Sequence, residues 1–245
     1  MMNNEDIWFL QRKQSKPVKQ NLFCFPYAGG SGQMYLDWDD KVPDGCQVFG
    51  VEFPGRGRRF SDPLQANITD LVDMLYANIK SKLTRPFSFY GHSNGALVAY
   101  ELAKKISREL GLTPKNLFIS AKVAPQLGTE YPLHKLSEDE FIEVLKDYKG
   151  TPELVFNNPE LLEVYTPILR SDFALSENYK FVEQGKLNTD IVILAGEDDE
   201  VVEPDNVFAW QALFNGKVRK ELMRGDHFFV HSEETALINI INSEL

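Results

Sequence analysis

The stretch FYGHSNGALVAYELA, Phe89 to Ala103, sets a serine between two glycines, with aromatic residues just before it and a helix-like run just after. A lone Gly-X-Ser-X-Gly arises often by chance, and as a plain turn it needs no function. Its setting narrows the choice. Phe87-Ser-Phe-Tyr90 reads as a strand running directly into Gly91, and Leu97, Tyr100, Glu101 and Lys104 continue a helix out of Gly95. Strand, G-x-S-x-G and helix together read as a nucleophile elbow, which holds its serine strained and exposed above a sheet at a helix N-terminus. Side chains at 91 and 95 would clash with the neighbouring strand and helix, and Ala96 and Ala99 keep the next turn thin.

Outward from the elbow, short apolar runs alternate with helical patterns. Asn21–Phe25, Val48–Phe53, Leu117–Ala121 and Ile191–Ala195 read as strands, with Glu221–Arg224 a weaker one. They are mostly apolar rather than alternating, as strands covered on both faces of a parallel sheet must be. Ile68, Leu71, Val72, Leu75, Ile79 and Leu83 share one helix face, and a C-terminal helix from Ser232 carries Leu237, Ile238 and Ile241. The alternation implies a single α/β domain over 1–245 with a mostly parallel sheet flanked by helices. One stretch, about 125–182, offers no strand. Ser137-Glu-Asp-Glu140 is a capping-box pattern opening a helix through Tyr148, and Asn158-Pro159 starts further helix through Leu169. That is longer than one crossover needs, so a helical lid over the strand ends is expected.

A serine hydroxyl needs a base, and the base needs an orienting acid, in the chain order Ser, Asp or Glu, His. Of the histidines at 92, 134, 227 and 231, His227 lies in the loop after the last strand, where the base belongs. His92 adjoins Ser93 and reads as elbow support, His134 falls in the expected lid, and His231 ranks below His227. The acid should follow Ile191–Ala195, in Gly196-Glu-Asp-Asp-Glu200. Spacing favours Asp199, with Asp198 the alternative. Asp226 adjoins His227 in sequence and reads as loop chemistry. An oxyanion hole would use the backbone N–H of Asn94, and that of Ala28 in the loop Phe25-Pro-Tyr-Ala-Gly-Gly-Ser-Gly32. That loop fits neither dinucleotide nor P-loop spacing.

Bulk composition excludes other classes. The chain has 245 residues, 43% of them hydrophobic, and a net charge of −10, from 26 basic and 36 acidic residues. Nucleic acid and anionic membrane surfaces are poor partners for such a charge. Cys24 and Cys46 read as buried free thiols. No apolar run approaches the roughly 18 residues of a membrane span, and no signal peptide is visible. A cytoplasmic monomer is expected, since no strong exposed apolar helix face stands out.

Four motifs in order carry a family resemblance. Phe25-Pro-Tyr-Ala-Gly-Gly30, Phe53-Pro-Gly-Arg-Gly-Arg58, Gly91-His-Ser-Asn-Gly-Ala96 and Gly225-Asp-His-Phe-Phe229 resemble the type II thioesterases of the α/β-hydrolase superfamily, the stand-alone editing enzymes of nonribosomal peptide and polyketide synthesis. Asn94 stands where the family usually has Met, and Gly-Asp-His replaces Gly-Gly-His. The resemblance implies an α/β-hydrolase fold and a substrate acyl, aminoacyl or peptidyl group held as a thioester on the phosphopantetheine arm of a carrier protein. It implies Ser93 as nucleophile, His227 as base, Asp199 as orienting acid, Ala28 and Asn94 as oxyanion donors, and no metal or cofactor. Carrier proteins are usually acidic, so Arg56, Arg58 and Arg59 are the expected docking patch. Rival readings are a fatty-acyl-carrier thioesterase, a small-molecule carboxylesterase on the same scaffold, and a dead carrier-binding module.

Overall fold

The computed structural model describes residues 6–12, 17–128 and 131–245. Among them seven strands form one sheet: β1 (Phe9–Leu10), β2 (Gln20–Phe25), β3 (Cys46–Val51), β4 (Phe87–His92), β5 (Asn116–Ser120), β6 (Asp190–Gly196) and β7 (Val218–Met223). Their order is β1-β3-β2-β4-β5-β6-β7. All pairs are parallel except β1 with β3. This is the α/β-hydrolase arrangement expected from the sequence.

Two cores explain the apolar strands. Along β2, Phe23 and Phe25 face one core, while Leu22 and Cys24 face the other. The first core takes the buried stripe of helix α1 (Ile68–Ile79), capped by the Asn67 side chain, and of α2 (Asn94–Leu110), which ends at left-handed Gly111. The second takes Tyr35, Trp38, Leu237 and Ile241. Both cysteines are free and buried. The edge strand β7 is mostly solvent-facing, which is why its sequence, VRKELM, signals a strand only weakly. The two-residue β1 is too short for any periodicity. It is held by pairing Phe9 with Val51 and by the edge contact of Phe9 with Phe23 at 5.6 Å.

Between β5 and β6 lie α3 (Glu138–Asp147), α4 (Glu153–Phe156) and α5 (Pro159–Glu177). Ser137 and Glu140 form the expected capping box, and Asn158 caps α5. α5 runs through Pro167 to Glu177, past the point where the sequence pattern fades. Phe141, Leu145, Leu169 and Phe173 build a small separate cluster against Ala28. After β6 follow α6 (Pro204–Phe208), α7 (Phe229–Ser232) and α8 (Glu234–Glu244). No helix among the described residues is long and apolar enough to cross a membrane.

The strand order places the site. From β2 the chain moves one way to β3 and then returns past it to β4. The loops leaving the C-terminal ends of β2 and β4 therefore diverge, opening the crevice where ligands bind in such sheets.

Candidate active site

Ser93 follows β4 and precedes α2, at φ 52° and ψ −118°. Such a conformation costs a non-glycine residue roughly 1–3 kcal/mol. Its neighbours enforce it. A Cβ on Gly91 would lie 2.4 Å from the Gly95 carbonyl oxygen, and one on Gly95 would lie 2.1 Å from that of Phe25. Only glycine lets helix α2 approach strands β2 and β4 so closely. The Ser93 N–H donates to the Ser120 carbonyl at 2.8 Å, pinning the elbow to β5.

The loops after β6 and β7 are stitched together: Glu197 N–H donates to the Met223 carbonyl and Asp198 N–H to that of Gly225. This brings Asp199 to His227, with Asp199 Oδ2 2.8 Å from His227 Nδ1. The other carboxylate oxygen accepts the N–H groups of Val201 and Val202 at 2.8 and 3.0 Å. A carboxylate only accepts, so His227 Nδ1 carries the proton and the Nε2 lone pair faces Ser93 Oγ, 3.1 Å away. Asp198 is exposed and takes no part. Asp226 turns its carboxylate to the Phe228 N–H of its own loop.

His92 does more than fill space. It is fully buried, and its Nε2 donates to the His227 carbonyl at 2.8 Å while Nδ1 accepts from the Ser120 hydroxyl at 2.8 Å. Burial, reinforced by the nearby His227, pushes it well below the usual histidine range, so it stays neutral and can play both parts. His231 instead bonds the Tyr27 hydroxyl, and His134 pairs with Glu177.

The N–H groups of Ala28 and Asn94, which line the same cavity as Ser93, have no partner among the described residues. The next N–H along, that of Gly29, is taken by Asp172 Oδ2 at 2.7 Å. Asp172, on α5, is buried and grips Arg56 through two parallel bonds of 2.5 and 2.7 Å. Its carbonyl accepts from the Asn94 side chain. One residue of the helical segment thus ties together the glycine loop, Arg56 and the residue after Ser93. This overturns most of the expected docking patch. Arg56 is buried by its carboxylate partner, and Arg59 is buried over the Trp8 ring, with Asp62 and the Glu52 carbonyl as partners. Neither can meet a protein at the surface. Arg58 alone is half-exposed.

Ser93 and His227 open into a cavity of about 550 Å³, roofed by residues of the helical segment such as Tyr148, Leu169 and Phe173. Among the described residues no His, Cys, Asp and Glu side chains gather as a metal-binding group.

The thioesterase domain family matches residues 20–245. The chain belongs to the thioesterase family. It is 34% identical to a protein named linear gramicidin dehydrogenase LgrE, of Brevibacillus parabrevis, over 97% of this chain and 92% of that one. It is 30% identical to gramicidin S biosynthesis protein GrsT of Aneurinibacillus migulanus, over 97% and 93%. The solved type II thioesterase BorB, from the borrelidin biosynthetic cluster, superposes with a TM-score of 0.89 at 31% identity and covers 98% of both chains.

Two features of this thioesterase escape sequence reasoning. The Arg56–Asp172 pair joins residues 116 positions apart, and nothing in either motif announces the partner. Lys122, just past β5, also lines the cavity. Burial pulls its ammonium down to about 8, although the charge of Glu177 opposes the shift. An unfolded lysine titrates near ~10.4, so the unfolded chain holds this proton more tightly and the charge opposes folding. The opposition is complete below pH ~8 and fades as pH rises from there to ~10.4. Lys122→Met is therefore expected to raise the thermal midpoint by ~2–4 °C at pH 7, the shift that about 1 kcal/mol gives in a chain of this size. The gain over the parent should shrink between pH 8 and 10, as calorimetry across that range would show.

Proposed function

We propose that this protein is a serine thioesterase that hydrolyses acyl groups from the phosphopantetheine arm of carrier proteins in nonribosomal peptide or polyketide synthesis. The observation that carries the reading is the chain Ser93–His227–Asp199, whose Ser93 and His227 line a cavity together with Ala28 and Asn94, two residues with N–H groups unpartnered among the described residues. Relatives in gramicidin and borrelidin biosynthesis support the substrate class.

In this reading Ser93 Oγ attacks the thioester carbonyl as His227 Nε2 takes its proton. The oxyanion is held by the N–H groups of Ala28 and Asn94, and Asp199 stabilises the imidazolium. The C–S bond then breaks, and His227 returns the proton to the departing sulfur. Water enters, gives its proton to His227 and attacks the acyl-serine, and the acid leaves as Ser93 regains its proton. Every step is acid–base and nucleophilic chemistry of these side chains, acting without a cofactor. The segment α3–α5 serves as the lid, since its small core rests on Ala28 and roofs the cavity. The protein would act as a cytoplasmic monomer, with Arg58 as what remains of the docking patch.

One relative carries a redox activity in its name. The glycine loop after β2 lacks the G-x-G-x-x-G spacing that cradles a dinucleotide, and its Gly29 N–H is occupied by Asp172. The hydrolytic reading is the better supported. It is tested by offering acetyl-loaded carrier protein, acetyl-pantetheine and a simple acetyl ester. Serine-dependent hydrolysis fastest on the carrier thioester is expected. Preference for the free ester would make this a general carboxylesterase.

A further inference from the structure

Lys122 is a cavity-lining ammonium that bonds to no carboxylate among the described residues. It is the second residue past β5, after Ala121 at φ 50°, and its carbonyl accepts from Trp210 Nε1 at 2.8 Å. That bond fixes where the side chain starts, and the side chain lines the cavity that holds Ser93. Its Nζ reaches the Asn94 side-chain oxygen at 3.4 Å, a long contact with a neutral group. The Asn94 amide is itself oriented by its bond to the Asp172 carbonyl.

Among the described residues no carboxylate bonds to Lys122, although the charge of Glu177 still acts on it. Glu177 is the acidic residue among those lining the cavity, and its oxygens are occupied. Oε1 accepts the Leu133 N–H at 3.0 Å, while Oε2 accepts the His134 N–H at 2.9 Å and meets His134 Nδ1 at 2.5 Å. Asp199 is likewise closed by His227, Val201 and Val202. An ammonium has three donors, and here only one is engaged, and weakly. A partly desolvated charge left in this state costs free energy that a carboxylate ligand would recover.

We propose that Lys122, braced by Asn94, is a carboxylate-binding residue that sets acyl specificity: the cavity takes acyl groups ending in a free carboxylate, short dicarboxylic acids joined to the carrier through one of their two carboxyls. The inference rests on the thioesterase reading and narrows it. Free aminoacyl groups, whose ammonium would meet Lys122, are disfavoured. A cavity of about 550 Å³ holds such a diacid with the end of the pantetheine arm.

Two measurements test it. The first compares kcat/KM for succinyl-pantetheine and for its neutral isostere, succinamoyl-pantetheine, in the parent, Lys122→Met and Lys122→Arg proteins. The parent should favour succinyl ~10-fold or more. Lys122→Met should bring that ratio to about one or below, and Lys122→Arg should restore most of it. A ratio unmoved by Lys122→Met overturns the proposal. So does an equal loss on both substrates, since Lys122 would then be supporting the site rather than reading the carboxylate. The second is calorimetric binding of the same two thioesters to Ser93→Ala protein with and without Lys122→Met, which needs no turnover. Succinyl-pantetheine should lose ~10-fold or more in affinity when Lys122 is replaced, and equal affinities overturn the subsite. If the parent hydrolyses no thioester, the catalytic reading falls, and the binding comparison still decides for or against the carboxylate subsite.

Discussion

Ser93→Ala is expected to lower kcat on acyl-pantetheine by ~10⁴-fold or more, with the thermal midpoint nearly unchanged. The hydroxyl lies 3.1 Å from His227 Nε2 and makes no other side-chain bond among the described residues, so its loss removes the proposed nucleophile and little packing. His227→Ala should cost a similar factor, and the double variant hardly more, because the groups act as one unit. Asp199→Asn should fall by about 10⁴-fold for another reason. The asparagine can present an N–H to His227 Nδ1, which favours the tautomer whose Nε2 points a proton, not a lone pair, at Ser93. Rates from a thiol-release assay, with a fluorophosphonate label followed by mass spectrometry to locate the modified residue, would check all three. Substantial turnover in Ser93→Ala, or a label on another residue, would remove the triad from the mechanism.

The second large effect concerns stability and catalysis together. Asp172→Ala is expected to destabilise the fold by about 3–5 kcal/mol, since it leaves the Arg56 guanidinium buried without its partner. Arg56→Met with Asp172→Leu should recover much of that, because an apolar pair of similar volume avoids burying charge. Turnover should not return with stability. Asp172 also accepts the Gly29 N–H at 2.7 Å, next to the Ala28 N–H proposed as an oxyanion donor, and its carbonyl holds the Asn94 side chain. Losing the carboxylate frees the glycine loop to turn Ala28 away, at a cost of ~10²–10³ in kcat, as for a missing oxyanion donor. Chemical denaturation and kcat measured on the same variants separate the two effects. A double variant with full stability and full activity would show the pair to be structural only.

Reading the chain alone succeeded where a function demands local chemistry. The elbow is legible because a strained serine requires glycine at 91 and 95, and the loops that bring Asp199 to His227 because each follows a particular strand. The helices of the 125–182 segment are visible through the cap at Ser137 and the Asn158-Pro159 start. Strand β1 was invisible because two residues carry no period, and β7 was faint because an edge strand need not be apolar. The arginines were misread for a related reason. PGRGRR looks like a solvated basic turn, and only Asp172 and Trp8, from distant parts of the chain, show that Arg56 and Arg59 are interior.

What the sequence by itself determined is the order of strands and helices and the residue types that the chemistry requires, since both follow from periodicity and from covalent neighbours. Only the tertiary structure shows that Asp199 and not Asp198 meets His227, because the joined β6 and β7 loops turn that carboxylate toward it. It alone shows that Arg56 is buried against Asp172, and that Lys122 lines the cavity with no bonded carboxylate among the described residues. Burial and pairing of charge arise between segments far apart in the chain, and periodicity carries no record of which distant partner a side chain meets.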